Sequence, residues 1–289
     1  ASIFERVAQN VPDREAIICG DSRLTYGEFD KRANRIAHYL ASVGIKKGDH
    51  VAIYAFNRLE WVEAMLACYK LCAVPVNVNY RYVEDELQYL LNDADVKAIV
   101  FERQFGPLLN AIKDRLPTLK HYVVIEDGSG ASLAHLDAAD YNTVMAQQPD
   151  TPLSIDRSGD DLYVLYTGGT TGMPKGVVWR QEDVIMALGG GLDMATGQPL
   201  ASAEIMADRC AQPNAFAMRS LQLAPLMHGA AQWGLLRALF EGGAVIFSDK
   251  KSFDADHVWQ LVGKEKAKVM LITGDAMARP LMDAMNTRA

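Results

Sequence analysis

The feature that most limits the folds open to this chain is an alternation running from residue 25 to residue 126. Helical stretches and short apolar strand-type runs take turns there. The stretch "LTYGEFDKRANRIAHYLASVG" places Phe29, Ala33, Ile36, Ala37 and Leu40 on one helical face. Thr25 and Glu28 form a capping-box pattern at its start, and Gly44 is a natural stop. A strand over 51–55, a helix over 58–72, a strand over 74–78 and a helix over 84–93 follow. A strand over 97–101, a helix over 105–116 and a strand over 122–126 complete the series. Strands that are apolar on both faces and joined by helices require crossover connections. The spacing therefore predicts an α/β fold, with a mostly parallel sheet and helices on both sheet faces.

The rhythm breaks over residues 127–160, which are rich in Asp, Gly, Ser, Pro and Ala and read as a connection with one short helix. A second α/β series follows. It opens with a strand over 162–167, a glycine loop and a strand over 176–180, close enough together to form a hairpin. A helix over 182–188 runs into "GGG", and residues 197–219 carry no decisive pattern. A strand from residue 220 enters a loop, then helices over 233–241, 255–266 and 276–285 alternate with strands over 244–248 and 268–273. The expected organisation is a first α/β subdomain over 1–126, a connecting segment over 127–160 and a second α/β subdomain over 161–289.

Bulk properties remove several classes of function. The chain has 289 residues and a formal net charge of -7, which offers no field to attract nucleic acid or an anionic membrane. Its four cysteines, Cys19, Cys68, Cys72 and Cys210, are too scattered for a disulfide framework. Cys68 and Cys72 share a helical face, and buried packing is their expected role. No apolar run reaches membrane-spanning length and no leader opens the chain, so a cytoplasmic protein without a transmembrane segment is expected.

The run "YTGGTTGMPKGVV", residues 166–178, concentrates the chemistry. Gly168, Gly169, Gly172 and Gly176 let backbone N–H groups come close to phosphate oxygens. Thr167, Thr170 and Thr171 add hydroxyl donors, and Lys175 adds a point charge. A Walker loop requires a hydroxyl after its lysine and a helix beyond it. Here Gly176 follows Lys175 and the next residues favour a strand. No dinucleotide fingerprint occurs either. The competing reading, a ligand-free glycine turn, does not explain so many threonines beside one Pro-Lys-Gly.

This run resembles the phosphate loop of the adenylate-forming superfamily, whose pattern is roughly Y-T-[SG]-G-[ST]-T-G-x-P-K-G. That group comprises AMP-forming acyl-CoA synthetases, luciferases and the adenylation domains of peptide synthetases. Gly168 stands where serine is commoner. The resemblance extends to the segment ending "AVPVNVNYR", with its x-P-x-N turn, and to "LAPLMHGAAQWGLLRALFEGGAVI". It implies the N-terminal portion of the adenylate-forming enzyme fold. It also implies an ATP-dependent ligase that forms an acyl-adenylate and then an acyl-CoA, with Mg2+ and coenzyme A as partners in the reaction. The matching loop residues Thr167, Gly168, Gly169, Thr170, Thr171, Gly172 and Lys175 would serve the β- and γ-phosphates.

His228, after a strand end, reads from its residues alone as either a loop packing group or a site group. The resemblance assigns it to orienting the carboxylate. For Trp233 the alternatives are core packing and the acyl pocket; for Gly274 they are a turn before a helix and an approach to that pocket. "MALGGGLDMATG" and "ITGDAMARPLMDAM" resemble fatty-acyl and steroid-acid CoA ligases, which implies a long-chain or bulky carboxylic acid. Three glycines at 189–191 either leave room for such a substrate or break a helix. A homodimer is also expected from the resemblance. The family's later Y-G-x-[ST]-E segment, ribose-binding aspartate and C-terminal lysine are not found, so a front portion with little activity alone is expected. Another acyl-adenylate former that charges a carrier protein, or a non-catalytic binding module, remain as alternatives.

Overall fold

The structure, a computed structural model, describes every residue except 170, 171, 194, 195, 214, 216, 251 and 287–289. Helix α1 (Ser2–Asn10) and strands β1 (Glu15–Cys19) and β2 (Ser22–Thr25) precede the first alternating series. Helix α2 (Tyr26–Ser42) starts where the capping box places it. The Thr25 backbone N–H donates to Glu28 Oε2 at 2.9 Å, and the Glu28 N–H donates to Thr25 Oγ1 at 3.2 Å. Gly44 ends it with a φ of 91°, a left-handed conformation that glycine enters without strain. The apolar face is sealed, with Phe29, Ala33, Ile36, Ala37 and Leu40 all buried.

The chain then runs through β3 (His50–Tyr54), α3 (Leu59–Lys70), β4 (Val74–Asn77), α4 (Glu84–Asp93) and β5 (Val96–Glu102). Helix α5 (Gly106–Ile112), β6 (His121–Ile125), β7 (Ala138–Asp140) and α6 (Tyr141–Gln147) follow. The helix expected over 105–116 is shorter, with a 3-10 turn at each end. Pro107 at its start and Pro117 just beyond it limit the α-helical part. Strands β3 to β7 form one sheet in the order β4-β3-β5-β6-β7, every neighbour parallel. Successive buried residues along β4 and β6 mean that both sheet faces are covered. Strand β7 lies inside the stretch read as a connection. Its sequence, Ala-Ala-Asp, is too short to carry a period.

The glycine run forms the hairpin of β8 (Leu162–Gly169) and β9 (Gly172–Arg180), which leads into α7 (Gln181–Ala187). After it come α8 (Glu204–Arg209), β10 (Arg219–Gln222), α9 (Gly229–Phe240) and β11 (Ala244–Phe247). Helix α10 (Ala255–Glu265), β12 (Val269–Leu271) and α11 (Gly274–Asn286) complete the chain. The second large sheet has the order β12-β10-β11-β1-β2, parallel except for the antiparallel edge strand β2.

The chain divides into two compact units, Asp30–Asp183 with Ala1, and Ser2–Phe29 with Val184–Ala289. This division differs from the expected cut at 127–160, for two physical reasons. Strand β1 pairs in parallel with β11, Ile17 opposite Val245, which carries the amino terminus into the second unit. The hairpin belongs with the first unit because Val164 and Tyr166 are buried in that unit's core beside Val76 and Leu90. Among the described residues no helix is long and apolar enough to cross a membrane.

Candidate functional site

The hairpin is built from its root toward its tip. At the root, Arg180 pairs with Asp160 at 2.7 Å and with Glu182 at 2.8 Å, and the Gln181 N–H donates to the Asp161 carbonyl at 2.8 Å. Asp161 is nearly buried and accepts from the Ser158 N–H at 2.9 Å, with Lys47 Nζ at 2.7 Å. Further up, cross-strand register sets Tyr163 against Trp179, Leu165 against Val177, Tyr166 against Gly176 and Thr167 against Lys175. Near the tip Gly169 stands opposite Gly172, and the register shifts between Thr167 and Gly169.

The glycines differ in what surrounds them. A Cβ at Gly176 would lie 2.9 Å from the Tyr166 ring, so this position must be bare for the aromatic side chain to lie across it. Among the described residues, Gly168 and Gly172 have nothing within 4 Å of where a Cβ would stand. No packing partner among the described residues therefore calls for glycine at those two positions. Thr167, Gly168, Gly172 and Lys175 are all exposed, on a hairpin whose register brings Thr167 and Lys175 face to face. Thr170 and Thr171, the two residues between the facing glycines, lie outside the described residues. The described part offers a hydroxyl, an ammonium and unobstructed backbone on one small surface. That chemistry receives phosphate oxygens.

Two side chains that the sequence reading gave no role, Asn77 and Asp93, hold the residue just before this surface. Tyr166 is nearly buried, and its backbone N–H donates to Asn77 Oδ1 at 2.8 Å. Asn77 Nδ2 donates back to the Tyr166 carbonyl at 2.8 Å. The Tyr166 hydroxyl donates to Asp93 Oδ2 at 2.7 Å. Burial, and then the bond to the Asp93 carboxylate, hold the Tyr166 phenol well above its ordinary pKa, so it remains a donor. The available signal was a polar residue ending the otherwise apolar strand "VPVN".

The remaining predicted residues lie in the other compact unit, His228 and Gly274 in the connections that follow two adjacent parallel strands and Trp233 within α9. His228 is exposed and is the N-cap residue of α9, a few residues beyond β10. Gly274 opens α11 just beyond β12, with a φ of 62°. Such a φ strains any side chain, so the turn-forming reading accounts for the glycine there. Strands β10 and β12 are neighbours, Leu221 opposite Met270, and the N–H groups of Leu223 and Ala224 both donate to the Leu271 carbonyl at 3.0 Å. Helix α9 begins earlier than the expected residue 233, because Gly229 to Gln232 already sit in its first turn. Trp233 is partly buried, and its indole Nε1 is buried without a hydrogen-bond partner among the described residues. The glycines at 189–191 serve a close turn off the end of α7. A Cβ at Gly191 would stand 2.4 Å from Met186 Cα, and Gly190 has a φ of 103°. The helix-breaking reading explains them.

Among the described residues no three His, Cys, Asp or Glu side chains gather in a way that could hold a metal ion. All four cysteines are free, and burial pushes the Cys72 thiol up to about 11 and the Cys68 thiol higher still, which keeps both inert.

Comparison with known proteins gives a consistent result. The chain matches the family profile described as AMP-binding enzyme over residues 4–288. It is 42% identical over 285 residues to a 3-oxocholest-4-en-26-oate–CoA ligase of Rhodococcus rhodochrous, covering 99% of this chain and 51% of the relative. It is 41% identical over 286 residues to a medium/long-chain-fatty-acid–CoA/3-oxocholest-4-en-26-oate–CoA ligase of Mycobacterium tuberculosis, again covering 99% of this chain and 51% of the relative. The chain thus spans about half the length of the curated relatives it matches. Among solved structures, the inhibitor-bound N-terminal domain of FACL13 from Mycobacterium tuberculosis superposes with a TM-score of 0.75 at 25% identity. The match covers 93% of this chain and 61% of that one.

Proposed function

This chain belongs to the AMP-binding enzyme family, and we propose that it supplies the phosphate grip and the acid-side helix of an ATP-dependent carboxylate–CoA ligase. In the first step a carboxylate oxygen attacks the α-phosphorus of ATP and the bond to pyrophosphate breaks, giving an acyl-adenylate. In the second, the thiol sulfur of coenzyme A attacks the acyl carbon and AMP leaves with the bonding electron pair. The first step demands that negative charge on the departing pyrophosphate be met and its oxygens held in place. Thr167, Gly168, Gly169, Gly172 and Lys175 are assigned that task, with Thr170 and Thr171 between them. The single observation that carries the assignment is the register that sets exposed Thr167 against exposed Lys175 on this glycine-rich hairpin.

His228 is assigned to orienting the acid's carboxylate, and Trp233 and Gly274 to the acyl side. The substrate proposed is a long-chain fatty or steroid-like acid, on the strength of the relatives' names. Magnesium is expected in such chemistry. Among the described residues no three candidate ligands cluster, and magnesium is commonly held by substrate phosphates and waters, so no protein ligand is assigned to it. Four free cysteines fit a reducing compartment, and the cytoplasm is the proposed location.

Isothermal titration of the chain with ATP and a long-chain acid, separately and together, tests this reading. The expected result is acid binding that tightens in the presence of ATP. Acid binding indifferent to ATP would identify a non-catalytic acyl-binding module instead. Sedimentation equilibrium on the same sample tests the expected homodimer.

A further inference from the structure

The hairpin does not set its own register unaided. In an antiparallel pair the N–H and C=O of one residue point to the same edge of its strand. Both groups of Tyr166 are engaged by Asn77, so they point away from β9. Tyr166 and Gly176 then have the character of a non-hydrogen-bonded pair, the type with the closer side chains. The Tyr166 ring accordingly lies over bare Gly176. Asn77 ends β4, an edge strand of the parallel sheet, and is only 5% exposed. Its amide does for Tyr166 what a neighbouring strand would do, supplying one acceptor and one donor in a single plane. Asp93, at the end of α4, takes the hydroxyl at the far end of the same side chain. One residue is therefore fixed at its backbone, its ring face and its hydroxyl. The next residue along β8 is Thr167, opposite Lys175.

We propose that Asn77, assisted by Asp93, is a positioning residue for phosphate binding: it clamps Tyr166 and so keeps Thr167 and Lys175 opposed. The proposal rests on the phosphate-grip reading of the hairpin. Neither residue touches the nucleotide; both act through Tyr166.

Asn77→Asp provides a test that simple loss of packing would not pass. An ionised carboxylate accepts from the Tyr166 N–H but repels its carbonyl. A protonated carboxyl can accept and donate, as the amide does. Burial raises the carboxyl's pKa, so it gains a proton between about pH 8 and about pH 5. ATP affinity is measured by isothermal titration of the whole chain, and each variant is expressed as a ratio to the unsubstituted chain at the same pH. That ratio cancels titration of the nucleotide and of groups common to both chains.

Asn77→Ala is expected to bind ATP roughly tenfold more weakly at every pH. Asn77→Asp should be as weak at the higher pH and recover most of the loss at the lower. Hydrogen exchange at the Tyr166 amide should speed up in Asn77→Ala while amides in β3 and β5 keep their rates. Tyr166→Phe, which removes only the bond to Asp93, should bind a few-fold more weakly, and it carries the test if Asn77→Ala does not fold. Lys175→Ala separates the two levels of inference. If it leaves ATP affinity unchanged, the phosphate-grip reading fails. If it weakens binding while Asn77→Ala and Asn77→Asp bind like the unsubstituted chain at both pH values, the positioning role is overturned.

Discussion

Two groups of glycines in this molecule have opposite reasons for being there. In the second unit, a Cβ at Gly243 would lie 2.2 Å from the Met218 carbonyl oxygen and 3.0 Å from that of Ala238. Its neighbour Gly242 has a φ of 72° and would meet Cys210 Cβ at 2.6 Å. Both glycines are demanded by the fold: backbone occupies the space at Gly243, and at Gly242 the left-handed φ and the Cys210 side chain exclude a larger residue. In the hairpin of the first unit, Gly168 and Gly172 face nothing within 4 Å among the described residues. Open space alone does not mark a ligand site, since Gly263 within α10 also faces nothing; at Gly168 and Gly172 it leaves bare backbone beside the facing Thr167 and Lys175. A glycine-rich run read from sequence alone does not separate these cases, and the distances do.

Substitutions at the two kinds of position sharpen or break the contrast. The largest effect is expected at Gly243→Ala. Fixed backbone cannot yield to the new methyl, and stability should fall by about 3 kcal/mol or more, read from the denaturant midpoint. Near-normal stability would show that this packing is looser than the distances say. Gly176→Ala comes next. Its methyl meets a side-chain ring at 2.9 Å, which can shift at the expense of the Asp93 bond. A loss of about 1–2 kcal/mol is expected in the same measurement. Lys175→Ala should leave stability within about 0.5 kcal/mol, because the side chain is exposed, and weaken ATP binding roughly tenfold. Gly168→Ala is the smallest change and the most discriminating. Stability should be unchanged or slightly raised, since open space accepts the methyl and the unfolded chain loses freedom. ATP affinity should nevertheless fall a few-fold, because the methyl stands where a phosphate would approach the backbone. A stability loss at Gly168 comparable to that at Gly243 would erase the contrast.

Much of the architecture was legible because each element carried its own signal. The capping box at Thr25 and Glu28, the apolar face of α2 and the alternation through β6 all reflect local periodicity and end chemistry. What was not legible depended on partners distant in sequence. The amino-terminal strand β1 finds β11, more than two hundred residues away, so the two compact units are not consecutive halves of the chain. The hairpin's motif was plain in its composition, whereas its attachment was not. Asn77 stands 89 residues before Tyr166, and nothing in the local pattern of "VPVN" says which backbone its amide will meet. The roles of Gly190 and Gly191 likewise depended on the turn of backbone they lie against.

The Tyr166–Val178 hairpin is the proposed phosphate-binding surface of this chain. Its most direct test is an ATP titration of the 15N-labelled chain followed residue by residue through amide chemical shifts. The expected result is a saturable response in the amides of Thr167, Gly168, Gly172 and Lys175, with the buried amides of β5 unmoved. ATP binding that shifts other amides and leaves those four at their starting positions would contradict it.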